Sequence, residues 1–250
     1  MSRRLCLALA CVLVLALVLV WAVSAQRPLR KATSSTLYLP LVSLSLCGQP
    51  VFVDRFDDPG SGWPTLTGPG AAYGYLDGEY AITATASASF VWVTAPVLAP
   101  TGDYCFEVVV RRPEGDGCYG VVFDVQDAQH SYVLTLNPGT LTYFLYAQDG
   151  TLWRPLGSGS VPSLRAGSGK NHVQVERRGA RILVIINSQL VLETSDNAYH
   201  GGGVGLHAWK VLLGSGSAEA RFDNLALCVL GGGGTAQSKA ATVGSATTPR

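Results

Sequence analysis

From Asn171 to Cys228 the chain repeats one local pattern, a short alternating or β-branched run followed by Gly, Ser, Asn or Asp. The runs are NHVQVERR at 171–178, ARILVIIN at 180–187, QLVLET at 189–194, GVGLHAW at 203–209 and ARFDNLALC at 220–228. Half-buried antiparallel strands and their turns have this signature, and no helical period fits any of the runs. The same rhythm extends upstream. Strand runs are read at 51–56, 89–94, 104–112, 119–125, 131–136, 140–146 and 151–156. Turn signals stand at Asp77-Gly78, Pro138-Gly139 and Asp149-Gly150. A spacing of about 8–12 residues between turns predicts an all-β, two-sheet antiparallel sandwich.

Composition agrees with an exported β-protein. The chain has 29 Gly, 13 Pro and only 14% charged residues, against about 25% in an average soluble domain. Arg3 and Arg4 precede an apolar run from Leu5 to Val23 that ends in small residues at Ser24 and Ala25, as in a secretory leader cleaved after Ala25. The run also reaches the length of about 20 residues that spans a bilayer, so an uncleaved hydrophobic helix is the alternative. Loss of Arg3 and Arg4 with the leader leaves 16 basic and 17 acidic residues, a net charge of −1. So even a balance offers no electrostatic footprint for nucleic acid or an anionic membrane. The expected organisation is a leader over 1–25, a connector over 26–50, a β domain over 51–229 and a disordered Gly/Ser/Ala/Thr tail over 230–250. The expected location is secreted or on the exterior of the cell envelope.

Four cysteines remain after the leader, at 47, 105, 118 and 228, and an even number in an exported chain indicates disulfides. A hairpin joining 104–112 to 118–125 would set Cys105 and Cys118 about 20 Å apart, beyond the reach of a disulfide. Cys228 paired with Cys47 or Cys105 is the expected bridge.

Five segments, FVDRFDDPGSGW at 52–63, YLDGEY at 75–80, YGVVF at 119–123, VGL at 204–206 and FDNL at 222–225, resemble in order the landmarks of the concanavalin A-like (laminin-G-like) jelly roll. The resemblance extends to the exported bacterial domains related to 3-keto-disaccharide hydrolases. It covers about residues 51–229 and implies a back sheet in which Phe52–Phe56 lies beside Phe222–Leu227. The family often turns one hairpin on Asn-Gly. Here Asn187-Ser188 takes that place, and because Ser tolerates positive φ less well than Gly, a longer or differently shaped turn is expected.

Chemistry is sparse. The Glu-x-Asp-x-x-Glu strand of glucanases with this fold, which sets two carboxylates about 5–5.5 Å apart, is missing; Glu114 and Asp116 lie in a turn followed by Tyr119. The segment 166–171 lacks the first Gly and the Ser/Thr of a phosphate loop. His130, His172, His200 and His207 lack zinc-site spacing. Asp57, Asp58 and Asp223 are the candidate ligands of a structural Ca²⁺; otherwise no cofactor is expected. Strand alternation places Tyr119, Val121, Phe123 and Val125 inward and turns Asp124 to the concave face. It likewise turns His207 and Trp209 outward from Val204, Leu206 and Ala208. A Trp and a His beside an Asp on a concave sheet form a platform for a sugar ring, with Trp153 and Tyr146 at its rim; Trp63 and Trp92 are assigned to packing. The reading is a non-catalytic exported module that binds a glycan or another cell-surface ligand. The alternatives are a hydrolase of keto-glycosides or other glycosides, as the resemblance implies, and a purely structural envelope module.

Overall fold

The computed structural model describes residues 48–85, 89–210, 216–231 and 243–247. Ser45–Arg250 forms one compact unit. The expected leader, the hydrophobic helix and most of the connector lie outside the described residues. In chain order the strands are β1 (Gln49–Asp54), β2 (Leu66–Thr67), β3 (Ala71–Leu76), β4 (Glu79–Ala84), β5 (Ser89–Ala99), β6 (Tyr104–Gly115), β7 (Gly117–Val125) and β8 (His130–Asn137). They continue with β9 (Thr142–Asp149), β10 (Leu152–Ser160), β11 (Asn171–Arg178), β12 (Arg181–Ile186), β13 (Gln189–Ser195), β14 (Gly202–Lys210), β15 (Ala218–Val229) and β16 (Val243–Thr247). All pairings among them are antiparallel, and no helix occurs among the described residues.

The strands form two sheets. The order β13-β12-β11-β6-β15-β4-β3-β2, with β1 added beside β15, makes one; the order β10-β9-β8-β7-β14-β5-β16 makes the other. This is the all-β jelly-roll sandwich read from the sequence. Alternate residues of each strand fill the space between the sheets. Phe106, Val108 and Val110 of β6, Val173 and Val175 of β11, Tyr119, Val121 and Phe123 of β7, and Val204, Leu206 and Ala208 of β14 all belong to one buried core. Fully burying each Val, Leu or Phe side chain stabilises the fold by about 1.5–3 kcal/mol. Phe52 pairs with Leu227 and Asp54 with Leu225, which places the first and last strands of the domain together as the resemblance implied.

Three local expectations change. The segments 104–112 and 118–125 do not form a hairpin. β6 pairs with β11 and β15, while β7 pairs with β14 and β8, so the Gly-rich turn near Asp116 carries the chain from one sheet to the other. Cys118 and Cys105 are thus separated by the sandwich itself. Cys105 stands directly opposite Cys228 in the β6–β15 ladder, on the outer face, where both are buried with Ala226 against Leu230; the bridge expected at Cys228 is nevertheless not formed there, because Cys105 is the disulfide-bonded member, and Cys47 lies outside the described residues. Second, the tail expected to be disordered contributes β16, paired with residues 89–93 of β5.

Third, the turn at Asn187-Ser188 is a two-residue turn after all. Ile186 pairs with Gln189, and both turn residues are left-handed, at φ 50° and 67°. Asn187 holds it there. Its side chain accepts from the His172 N–H at 2.9 Å and donates to the Ser163 carbonyl at 2.7 Å and to Asn171 Oδ1 at 2.9 Å. Ser188 has to accept the strain that its neighbour's hydrogen bonds impose. Replacing it with Gly, which adopts positive φ freely, is expected to raise stability by about 0.5–1 kcal/mol. Denaturant titration of Ser188→Gly checks this, and an unchanged or lowered midpoint counts against it.

Candidate ligand-binding face

The seven-stranded sheet presents its outer side as a concave face, and that face carries a cluster of aromatic residues. β5 contributes Phe90 and Trp92, β14 His207 and Trp209, β9 Phe144 and Tyr146, and β10 Trp153. Phe90, Trp92, Val122, Val125 and Val133 form a buried cluster distinct from the main core, with Trp153 and Trp209 packed against it. Ring centroids connect the set: Trp153 lies 5.3 Å from Phe90 and 5.9 Å from Trp209, Phe90 lies 6.0 Å from Trp209, and Tyr146 lies 5.7 Å from Trp153. Phe144 stacks on Tyr146 at 6.2 Å with 11° between the planes. β10 and β5 are five strands apart in the sheet, which at about 4.8 Å per strand would separate them by about 24 Å if the sheet were flat. Contact between Trp153 and Phe90 therefore requires the sheet to roll until its two sides meet above its floor.

That floor depends on glycine. A Cβ on Gly120 would stand 1.9 Å from the Leu134 carbonyl oxygen and 2.8 Å from His207 Nε2; one on Gly205 would stand 2.0 Å from the Val93 carbonyl oxygen. The space left above Gly120 is filled by the His207 ring, which lies across β7 and donates Nε2–H to the Leu134 carbonyl of β8 at 2.9 Å. His207 is 0% exposed, and burial pulls its pKa down to about 4, opposed by that backbone hydrogen bond. The imidazole is consequently neutral at physiological pH.

The residues expected to form the platform divide. Trp209, Trp153 and Tyr146 come together on the concave face, partly exposed. His207 belongs to the same face but lies beneath Phe90, whose ring centroid is 4.9 Å away, so it supports the platform and does not present itself to solvent. Asp124 does not face the groove. Val122 and Val125 pair with Gly205 and Gly203, so two residues of β7 oppose the single Val204, and Asp124 itself is left-handed at φ 48°. This bulge resets the alternation. Val125 turns to the concave side with Val122, and the Asp124 carboxylate turns inward between the sheets, 2.7 Å from Arg177 Nε. Its Oδ1 accepts from the Tyr104 hydroxyl at 2.7 Å and from the Gly201 N–H at 2.9 Å.

Sequence reasoning gives no role to Phe90 or Phe144, although period-two alternation finds both: Phe144 shares a strand face with Tyr146 of the platform, and Phe90 with the buried Trp92 that supports it. Trp63 and Trp92 are buried as expected, Trp63 in the core with Nε1–H donated to Asp54 at 2.9 Å. The three candidate calcium ligands do not converge. Asp223 is bound by Lys170 at 3.1 Å, and Asp58 accepts the Gly60 N–H of its own turn. No group of three His, Cys, Asp or Glu suited to a metal occurs among the described residues.

Comparison with known proteins supports the fold and little else. No family model matches the chain, and no curated protein matches it in sequence. Solved structures match well. A Bacillus subtilis protein of unknown function with a galectin-like fold aligns over 73% of this chain and 96% of its own at TM-score 0.58 and 12% identity. An endo-acting O-glycanase of the human gut microbiota aligns over 73% and 100% at TM-score 0.52 and 10% identity. A prokaryotic β-1,3-1,4-glucanase (lichenase) from a mouse hindgut metagenome aligns over 72% and 99% at TM-score 0.51 and 10% identity. The domain is thus a concanavalin A-like jelly roll of the kind shared by galectin-like proteins and glycosidases.

The depressed pKa of His207 sets a pH dependence of stability. Between pH 6.5 and about 4 the unfolded chain binds a proton on this imidazole and the folded chain does not, so stability falls as the pH falls through that window. At pH 4.5 the loss from this residue amounts to about 2–3 kcal/mol relative to pH 7. Unfolding titrations of wild type and His207→Gln at both pH values are expected to show a shallower acid loss in the variant; parallel pH profiles would refute the assignment.

Proposed function

We propose that the concave face binds an uncharged glycan by stacking pyranose rings on Trp209, Trp153 and Tyr146. The single observation that carries the reading is the convergence of the partly exposed Trp209, Trp153 and Tyr146, from three strands of one rolled sheet, on the buried Phe90. An aromatic ring offers a sugar its apolar C–H face a complementary surface, and a concave apolar site with few polar groups is the usual form of a small-ligand site. The fold is shared with proteins whose names identify them as glycan-cleaving, which makes a glycan the first ligand class to test.

The reading specifies an uncharged ligand because the sheet offers a charged one nothing to bind. The ionisable groups of its seven strands, tyrosine and cysteine aside, are Asp124, His130, Asp149, Arg154, His207 and Lys210. Asp124 and His207 are buried, and Lys210 is 7% exposed with its ammonium on the Thr85 carbonyl. Arg154 pairs with Asp196 at 2.7 Å, and His130 stands between Asp127 and Asp149 at the sheet's end. The two carboxylates of these strands, Asp124 and Asp149, are an interior ion-pair partner and a rim residue. The reading accordingly assigns the face binding without bond cleavage.

An exterior location accompanies this proposal. It is supported by Cys105, which is disulfide-bonded, and by the pairing of Pro50 with Cys228 in the β1–β15 ladder, which draws the chain just after Cys47 to the same place. Non-reduced peptide mapping is expected to find Cys105 joined to Cys47, with Cys118, whose thiol burial raises to about 11, recovered reduced. A Cys105–Cys118 peptide would contradict the fold.

Binding is tested by titrating neutral β-glucans and an acidic polysaccharide. Trp153→Ala and Trp209→Ala are each expected to weaken binding of a neutral glycan at least tenfold. Both rings are only partly buried, so each truncation costs less than the about 3–5 kcal/mol of a fully buried aromatic. Affinity is expected to hold within twofold between low and high salt, since no ion pair is formed. Binding of only the acidic polysaccharide, or unchanged affinity in both variants, sinks the proposal.

A further inference from the structure

β5 is the last strand of its sheet but for β16, and its two halves are protected differently. From Thr94 to Ala99 the strand is irregular. Gly203 and Gly205 of β14 pair with Leu98 and Thr94, leaving three residues of β5 opposite Val204, and Pro96 removes a backbone donor. Bulges and proline are standard protection for a sheet edge. The half from Phe90 to Val93 reads Phe-Val-Trp-Val. It has no charge, no Pro and no Gly, and it is regular. Such an edge is a template for another strand.

β16 covers that half alone: Val243 pairs with Val93, Gly244 with Trp92, Ser245 with Val91, Ala246 with Phe90 and Thr247 with Ser89. The covering strand is short and composed of Val, Gly, Ser, Ala and Thr, and it follows β15 after a stretch that opens with four consecutive glycines, Gly231–Gly234. All five of its residues pair with β5 through the backbone ladder, a pairing favoured by tethering. Its attachment through residues 232–242 of the same chain makes the pairing intramolecular, which raises its effective concentration.

We propose that β16 is a detachable cap, and that residues 89–93 of β5 form a strand-pairing surface whose alternative occupant is β5 of a second copy of this chain. A second copy fits because the edge is uncharged and complements itself. Antiparallel pairing about a two-fold axis sets Phe90 and Trp92 of one copy against β-branched or aromatic residues of the other, the cross-strand combinations that stabilise sheets, and an isologous contact closes at the dimer. The cap wins in dilute solution through its tether, and the dimer forms once the cap is lost.

The experiment compares the chain from Gln26 to Arg250 with the same chain ended at Gly231, by sedimentation velocity from 1 to 200 µM. The complete chain is expected to stay monomeric, and the shortened one to dimerise in the micromolar range. A synthetic peptide of residues 241–250 is expected to return it to monomer. Should the shortened chain be insoluble, Ser245→Pro and Ala246→Pro in the complete chain decide the matter. One of these adjacent positions turns its N–H toward β5, and that variant is expected to dimerise and to lose amide-exchange protection over 89–93. Monomeric behaviour of every variant across the range, with 89–93 still protected, overturns the proposal, as does a dimer that the peptide fails to dissociate. Glycan binding is read in parallel and is not required for either outcome.

Discussion

Arg177 and Asp124 join the two sheets where no solvent reaches, both side chains at 0% exposure. Placing two charges there is expensive, and their attraction repays the desolvation only when the remaining polar groups are also satisfied. They largely are. Arg177 donates to the carbonyls of Tyr199 at 3.0 Å, Ala180 at 3.3 Å and Asp196 at 3.4 Å, and its guanidinium lies 5.2 Å from the Tyr132 ring centroid. The Nε–Oδ2 approach is a close ion contact without an in-line N–H direction. Burial pushes the Asp124 carboxyl upward while Arg177 and the Tyr104 hydroxyl pull it down. Removing either partner would strand a buried charge, at about 3–5 kcal/mol. What the pair fixes is geometry: Asp124 reaches Arg177 only from a left-handed backbone, and the bulge this creates sets the register of β7 on β14.

The concave face follows from that register. Because the bulge precedes Val125, Val122 and Val125 both support the aromatic cluster, and no carboxylate of β7 reaches the groove. Gly120 then leaves a vacancy where His207 lies flat, and the rolled sheet brings Trp153 over Phe90 and Trp209. The opposite outer face has the reverse chemistry. Arg111 holds Glu79 through both carboxylate oxygens, Lys170 pairs with Asp223, and Arg221 lies between Glu219 at 2.6 Å and Asp77 at 3.4 Å. The Arg111 hydrogen bonds hold the Glu79 carboxyl below its ordinary range. A chain with few charges thus concentrates many of them on one sheet and leaves the other to aromatics.

Much of this was legible in the sequence, for identifiable reasons. Period-two alternation found the two sides of β14, because past Gly205 that strand is regular, and it correctly turned Trp209 and His207 away from the core. It failed at Asp124 because a bulge adds one residue without changing composition; Val-Val-Phe-Asp-Val reads the same flat or bulged. The segment at 113–117 resembled a hairpin loop because Gly and Pro signal a change of direction but not the sheet to which the chain returns. That is decided by distant pairings such as Val110 with Phe222 and with Asn171. β16 was unreadable in a tail of small residues, since its strand state depends on an edge supplied by β5 and not on its own propensity.

The comparison with glycosidases of the same fold shows where function separates from architecture. Retaining glycoside hydrolysis needs two carboxyl groups about 5–5.5 Å apart on one face, and a strand supplies such a pair only by keeping alternate positions acidic and regular. In this chain the concave positions of β7 before the bulge are Cys118, Gly120 and Val122, and its one acid is taken into the interior by Arg177. The ion pair that fixes the sheets therefore removes from the groove the only carboxylate that β7 possesses. An acid restored at Val122 would face Val133 and Gly205 across the ladder, in a buried apolar cluster where its ionised form is disfavoured. The apolar surroundings of Val122 thus oppose a pair of ionised carboxylates at these positions of β7.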